Sequence, residues 1–217
     1  MTYNGNNYNL IYDGDAPMGP IVWLDLAADL SWPRWGDVNS WATSLNSQIT
    51  AYQIDPHYNV TWIGSWRLPD THEVDNGSTE GYDGTTTRGY NILTSELGHL
   101  FYEELGNVGK YDTYGNLLTD YGLQNTAPFQ NLRSGVYWSE TEWTGAVYSD
   151  WYHWEFSMQD GRQFPATNQN SGYGLAVRNA NVSVVPLPGA FWFLGSGLLG
   201  LVAVRRRKGE NNENNEN

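Results

Sequence analysis

Between Ser31 and Leu45 the apolar residues Trp35, Val38, Ala42 and Leu45 return at three- and four-residue intervals, which predicts a helix. Ser31 is its candidate N-cap, and Pro33 suits its first turn. A second stripe, Leu97, Leu100, Phe101 and Leu105, predicts a helix over Thr94–Leu105, with Glu96 in an acidic first turn and Gly106 as the stop. Elsewhere the period is two. Short runs rich in β-branched and aromatic residues predict strands at Val60–Trp66, Val136–Ser139, Tyr152–Phe156 and Gly174–Arg178. In the third of these, Tyr152, Trp154 and Phe156 fall on one face, while Trp151, His153 and Glu155 fall on the other. The polar stretches Asp75–Tyr90 and Gly106–Pro128 predict long loops. Two helices among scattered short strands, without an internal repeat, predict an α+β domain over residues 1–180.

The C-terminal pattern is different. No residue from Asn179 to Val204 is charged, and Leu187–Val204 is an apolar, Gly-rich run that ends in Arg205-Arg206-Arg207-Lys208. At about 1.5 Å per residue such a helix approaches the hydrocarbon thickness of a bilayer, and the cations would stay on the cytoplasmic side. This predicts a linker at 181–186, a transmembrane helix at 187–204, and a basic cluster with a polar tail at 205–217. The chain is then expected in a bacterial cell envelope as a single-pass membrane protein, its domain outside, with release after processing as a variant. Met1–Asn9 has neither the basic nor the apolar region of a signal peptide, so export predicts either translation starting upstream of Met1, the favoured reading, or a trimmed chain.

Composition narrows the function. The 217 residues carry 24 acids against 11 cations, a net charge of −13, and four of the cations sit in the tail cluster. Such a domain repels phosphate backbones, so nucleic acid is not an expected partner. With no Cys, disulfides, thiolate zinc sites and Cys nucleophiles are closed. Eleven Trp and 15 Tyr predict a packed, turn-rich domain rather than a disordered chain.

Several motifs carry a resemblance. Val185-Pro186-Leu187-Pro188-Gly189, the apolar span and Arg205, Arg206 and Arg207 resemble the PEP-CTERM class of sorting signals in its VPLPA-type variant. Gly189 replaces the usual Ala, and the polar Gly209–Asn217 extension is unusual for that class. The resemblance implies an inner-membrane stage and an exosortase-type processing partner. Within residues 10–180, the opening strand Ile21-Val22-Trp23-Leu24-Asp25 precedes four motifs in order. These are Trp66-Arg67-Leu68-Pro69, Ser95-Glu96-Leu97-Gly98-His99-Leu100-Phe101, Tyr137-Trp138-Ser139-Glu140-Thr141 and Ala176-Val177-Arg178. Their order resembles the Lcl_C-type domain, named for the C-terminal domain of a collagen-like bacterial adhesin. That resemblance implies a C-type-lectin-like α+β fold and no established catalytic residue.

The candidate chemistry is sparse. No G-x-S-x-G turn marks a nucleophile, and no catalytic residue is assigned. Glu96 and His99 have the i, i+3 spacing of bundle metal sites, but there is one copy, and His99 reads as a structural histidine beside the apolar stripe. Asp75, Glu80 and Asp83, with Asn76 and Ser78 between them, offer hard oxygens that suit Ca²⁺. Their spacing is not that of an EF-hand, and a solvated loop is the alternative; apart from Ca²⁺ no cofactor is expected. Trp143, Trp151 and His153 are the candidate glycan contacts. Trp66, Arg67, Leu68 and Pro69 read as architectural, with Trp66 and Leu68 pointing into the core and Arg67 the other way. The expectation is a surface or matrix protein of the binding and adhesion class, contacting polysaccharide. The alternatives are a structural envelope protein without a ligand and an extracellular polysaccharide hydrolase.

Overall fold

The computed structural model describes residues 1–28, 34–49, 51–145 and 151–186. Strands dominate. A small ribbon pairs β1 (Thr2–Tyr3) with β2 (Asn6–Asn7). One sheet of four strands combines β3 (Leu10–Asp13), β4 (Ile21–Ala28), β5 (Tyr58–Arg67) and β11 (Gly174–Val184) in the order β3-β4-β11-β5. A sheet of five strands combines β6 (Glu80–Gly81), β7 (Arg88–Gly89), β8 (Val136–Glu142), β9 (Tyr152–Ser157) and β10 (Arg162–Thr167) in the order β6-β7-β10-β9-β8. The helices are α1 (Trp35–Gln48) and the four-residue α2 (Glu96–His99), which continues directly as a π-helical turn, Leu100–Glu104.

Two apolar clusters form because β4 is buried on both faces. Val22 and Leu24 join Val38, Trp41, Ala42 and Leu45 of α1, with Trp66, Leu68, Trp138 and Ala176. Ile21 and Trp23 point the other way, into Leu97, Leu100, Phe101, Phe129, Tyr137, Phe156 and Val177. Alternation along a single strand thus feeds both clusters. The chain divides into two compact units: Met1–Ile54 with Val60–Val182, and Asp55–Asn59 with the described residues from Ser183 on. In the second unit the Val185 N–H donates to the His57 carbonyl at 2.8 Å.

The architecture corrects the expected α+β, C-type-lectin-like class. Strand takes 38% and helix 14% of the described structure, so the domain is mainly β. Two features hid this. The predicted second helix is one α-turn plus a π turn, and Pro165, Gly81 and Gly89 masked β6, β7 and β10. β10 tolerates Pro165 because β7 pairs with it only at Gln163↔Gly89, leaving the proline on an open edge. The expected transmembrane helix and single-pass location are also corrected. No helix among the described residues is long and apolar enough to cross a membrane, and the longest, α1, has 14 residues. The segment behind that expectation, Leu187–Val204, lies outside the described residues, as do Leu187, Pro188, Gly189, Arg205, Arg206 and Arg207 of the sorting motif. Val185 and Pro186 are described, and β11 runs through Val184 into the stretch read as a linker.

Candidate functional site

The tetrad Trp66–Pro69 ends β5 inside the fold. Trp66 and Leu68 are fully buried, and the indole N–H of Trp66 donates to the Tyr52 hydroxyl at 2.8 Å. Arg67 turns away from them and forks onto Glu96, Nη1 to Oε2 at 2.8 Å and Nη2 to Oε1 at 2.7 Å. The same guanidinium donates to the Leu68 carbonyl and to Asn179 Oδ1. Glu96 is wholly buried and also accepts the Asp70 N–H at 2.7 Å. Burial alone would lower the Arg67 pKa, but Glu96, then Glu140, hold it above its ordinary value. These contacts bind one chain segment to another.

The three acids read as a calcium loop are not brought together. Asp75 accepts the N–H groups of Gly77 and Thr87, Asp83 accepts from Thr85, and Glu80 is forked by Arg162 at 3.1 and 2.5 Å. Each carboxylate is used by a local turn or by an ion pair. The glycan trio is also divided. Trp151 is 58% exposed, whereas Trp143 is half-buried, edge-on to Tyr152, with its indole N–H on the Asn76 carbonyl. His153 is 1% exposed, stacked on Trp35 at 3.6 Å and paired with Asn168 through Nδ1. Burial lowers its pKa, so it is a neutral core group rather than a surface contact.

A second aromatic surface was missed in the stretch read as loop. Residues 108–122 fold back on themselves through the bridges Val108↔Gly122 and Tyr111↔Leu117. At the tip, the Asp112 carboxylate accepts the N–H groups of Tyr114 and Asn116 and the Asn116 side-chain amide, all within 2.9 Å. Those bonds, the Asn116 side chain foremost, hold the Asp112 pKa below its usual value. Asn91, with φ at +58°, donates from its amide to the carbonyls of both Tyr82 and Tyr111, which ties the neighbouring loop to this one. Tyr82 therefore lies parallel to buried Tyr90 at 5.9 Å, with Tyr111 set edge-on to both rings at 5.3 and 5.0 Å. Tyr114 is 90% exposed, and the following Gly115 packs under the Tyr82 ring. Tyr121 is also exposed. The available signal was Tyr recurring at 82, 90, 111, 114 and 121 among Asn, Asp and Gly.

The acids and the histidine that do converge are Asp13, Asp15, His99 and Glu104, whose ligand atoms lie within 4.8 Å of one another. Among the described residues this is the group able to hold a metal ion. Glu96 and His99, paired by spacing in the sequence, part company: Glu96 goes to Arg67, and His99 faces Asp13. Compared with protein-family models, curated proteins and solved structures, the chain matches none.

Proposed function

We propose that the domain is a polysaccharide-binding module of the adhesion class, not an enzyme, and that Tyr82, Tyr111 and Tyr114 form its contact face. The observation that carries this reading is the exposed ring of Tyr82, braced by Tyr90 and Tyr111 beside the projecting Tyr114. Exposed aromatic rings grouped on tied-down loops form the kind of contiguous patch that marks a binding site. Tyrosine has two side-chain torsions to immobilise, so a braced ring offers contact area at small entropic cost. Pyranose rings present flat C–H faces that stack on aromatic rings, and the phenols supply hydrogen-bond partners at the rim.

The test is affinity electrophoresis of the full chain through a panel of neutral and acidic polysaccharides. Tyr82→Ala and Tyr114→Ala are each expected to weaken retention about tenfold, the equivalent of ~1.4 kcal/mol, while Tyr114→Ala leaves the melting temperature unchanged. Retention by no polysaccharide, or retention indifferent to both substitutions, overturns the proposal.

A further inference from the structure

The group Asp13, Asp15, His99 and Glu104 is not part of the tyrosine face, and its geometry has its own cause. Asp13 closes β3, and Asp15 follows after one glycine. His99 ends α2 and Glu104 ends the π turn, where the Leu105 N–H donates to the Leu100 carbonyl five residues back at 3.0 Å. That wider turn places residues five apart on one side, and π turns inside helices recur at functional sites. His99 Nε2 consequently lies 3.6 Å from Glu104 Oε1, 3.8 Å from Asp13 Oδ1 and 3.9 Å from Asp15 Oδ1.

Two of these atoms lack what buried polar atoms ordinarily have. Asp13 is 2% exposed, and its Oδ1 has no hydrogen-bond partner; His99 Nε2 is buried and also has none. The other oxygen of Asp13 accepts the Trp23 indole N–H at 3.3 Å, which anchors the carboxylate and leaves the free oxygen directed at His99. Buried polar atoms without partners need an explanation, and a bound ion is one that suits two such atoms aimed at each other beside two further carboxylates. An indole N–H holding the outer oxygen of an inner ligand is the support that metal-binding carboxylates receive.

We propose that Asp13, Asp15, His99 and Glu104 bind a single divalent first-row transition cation of the Zn²⁺ or Mn²⁺ type. Ligands about 2.1 Å from such an ion stand about 3.4 Å apart in a tetrahedral set, so the three distances from His99 Nε2 need to contract by only a few tenths of an ångström, while the group as a whole, spread within 4.8 Å, closes further around the ion. The imidazole separates this site from calcium chemistry, where ligands are oxygens, whereas three carboxylates with one imidazole suit first-row ions. Asp13 and His99 form the buried base. The Asp15 side chain, 81% exposed, and that of Glu104 form the lip through which an ion and its waters reach the site.

The experiment uses the full chain, stripped with a chelator, in a His57→Gln background that removes the exposed Asp55–His57 pair as a competing imidazole site. Calorimetric titration with Zn²⁺ and with Mn²⁺ is expected to give one equivalent per chain, and each ion should raise the melting temperature by mass action. Mg²⁺ and Ca²⁺ at equal concentration should raise it far less. His99→Gln and Glu104→Gln should each weaken binding at least about tenfold. Glu104 is partly exposed, so its variant folds and decides the matter if His99→Gln does not. Absence of a saturable equivalent for either ion, a Ca²⁺ effect equal to theirs, or binding unaltered by Glu104→Gln overturns the proposal.

Discussion

Arg67 shows how much one side chain can carry when its partner is buried. Its two parallel bonds to Glu96 are the geometry a planar guanidinium provides and an ammonium does not. Breaking a buried pair by removing one partner leaves an uncompensated charge and costs roughly 3–5 kcal/mol, although the pair itself contributes less net stability. Arg67→Lys keeps the charge but loses the fork and the bond to Asn179, so urea unfolding should show a loss of about 2 kcal/mol. Glu96→Ala should lose more, because it strands Arg67 and the Asp70 N–H together. Equal stability of wild type and Arg67→Lys would mean that the fork is ornamental. Alternation made the opposite directions of Trp66 and Arg67 legible in the sequence. The partner was not legible, because Glu96 also fits an acidic first helical turn and nothing local says that it is buried. The same ambiguity hid the proposed metal group: Asp13 and His99 are 86 residues apart, and only the fold, which brings the end of β3 beside the end of α2, joins them.

Among the elements, α1 is positioned by what β11 lacks. Gly174 opens β11, and a Cβ built there would stand 2.2 Å from Val38 Cγ1 and 3.1 Å from the Trp41 ring. Val38 and Trp41 are core residues with little room to yield, so α1 lies against the strand through this absent side chain. Gly174→Ala should therefore destabilise by about 1–3 kcal/mol through overpacking. Val38→Ala, destabilising by itself, should recover part of that loss in the double variant, as a double-mutant cycle would show. Simple additivity would mean that the helix shifts freely. The sequence disclosed α1 by its stripe and β5, β8, β9 and β11 by their β-branched and aromatic runs. It concealed β6 and β7, which are two-residue strands made by pairing rather than by composition. The tyrosine face was concealed for a similar reason. A loop held by Asx bonds and an Asn in the left-handed region has no hydrophobic period to read.

Taken together, the titrating groups give the fold an uneven response to pH. Glu155 is 3% exposed, its Oε1 has no hydrogen-bond partner, and burial pushes its pKa up to about 8. Glu140 is pushed up to about 7, by burial first and then by Asp70 and Glu96 against the opposing pull of Arg67. A carboxyl whose pKa is higher in the folded chain than in the unfolded one binds its proton more tightly when folded. Its contribution is complete below the unfolded value near 4.5, and it is lost as pH rises through the folded value. His153 acts oppositely: burial lowers its pKa, so stability rises toward pH 6.5 as the unfolded chain gives up that proton. The hydrogen-bonded Asp75, Asp83 and Asp112, with lowered pKa values, matter only below about pH 4. Above pH 6.5 the response is carried by the two glutamates whose values are pushed furthest, Glu155 and Glu140. The melting temperature should fall from pH 6.5 to about 8.5 and then level, with Glu155 alone costing on the order of 1.4 kcal/mol per pH unit below its folded value. Glu155→Gln cannot ionise and keeps the shape, so it should melt near wild type at pH 5.5 and clearly above it at pH 8.5. The Glu140→Gln variant should remove a smaller share, since that side chain is about a third exposed and water screens its charge. A wild-type melting curve that is flat across this range, or a Glu155→Gln variant that falls with the wild type, would place the charge of Glu155 in water rather than in the core.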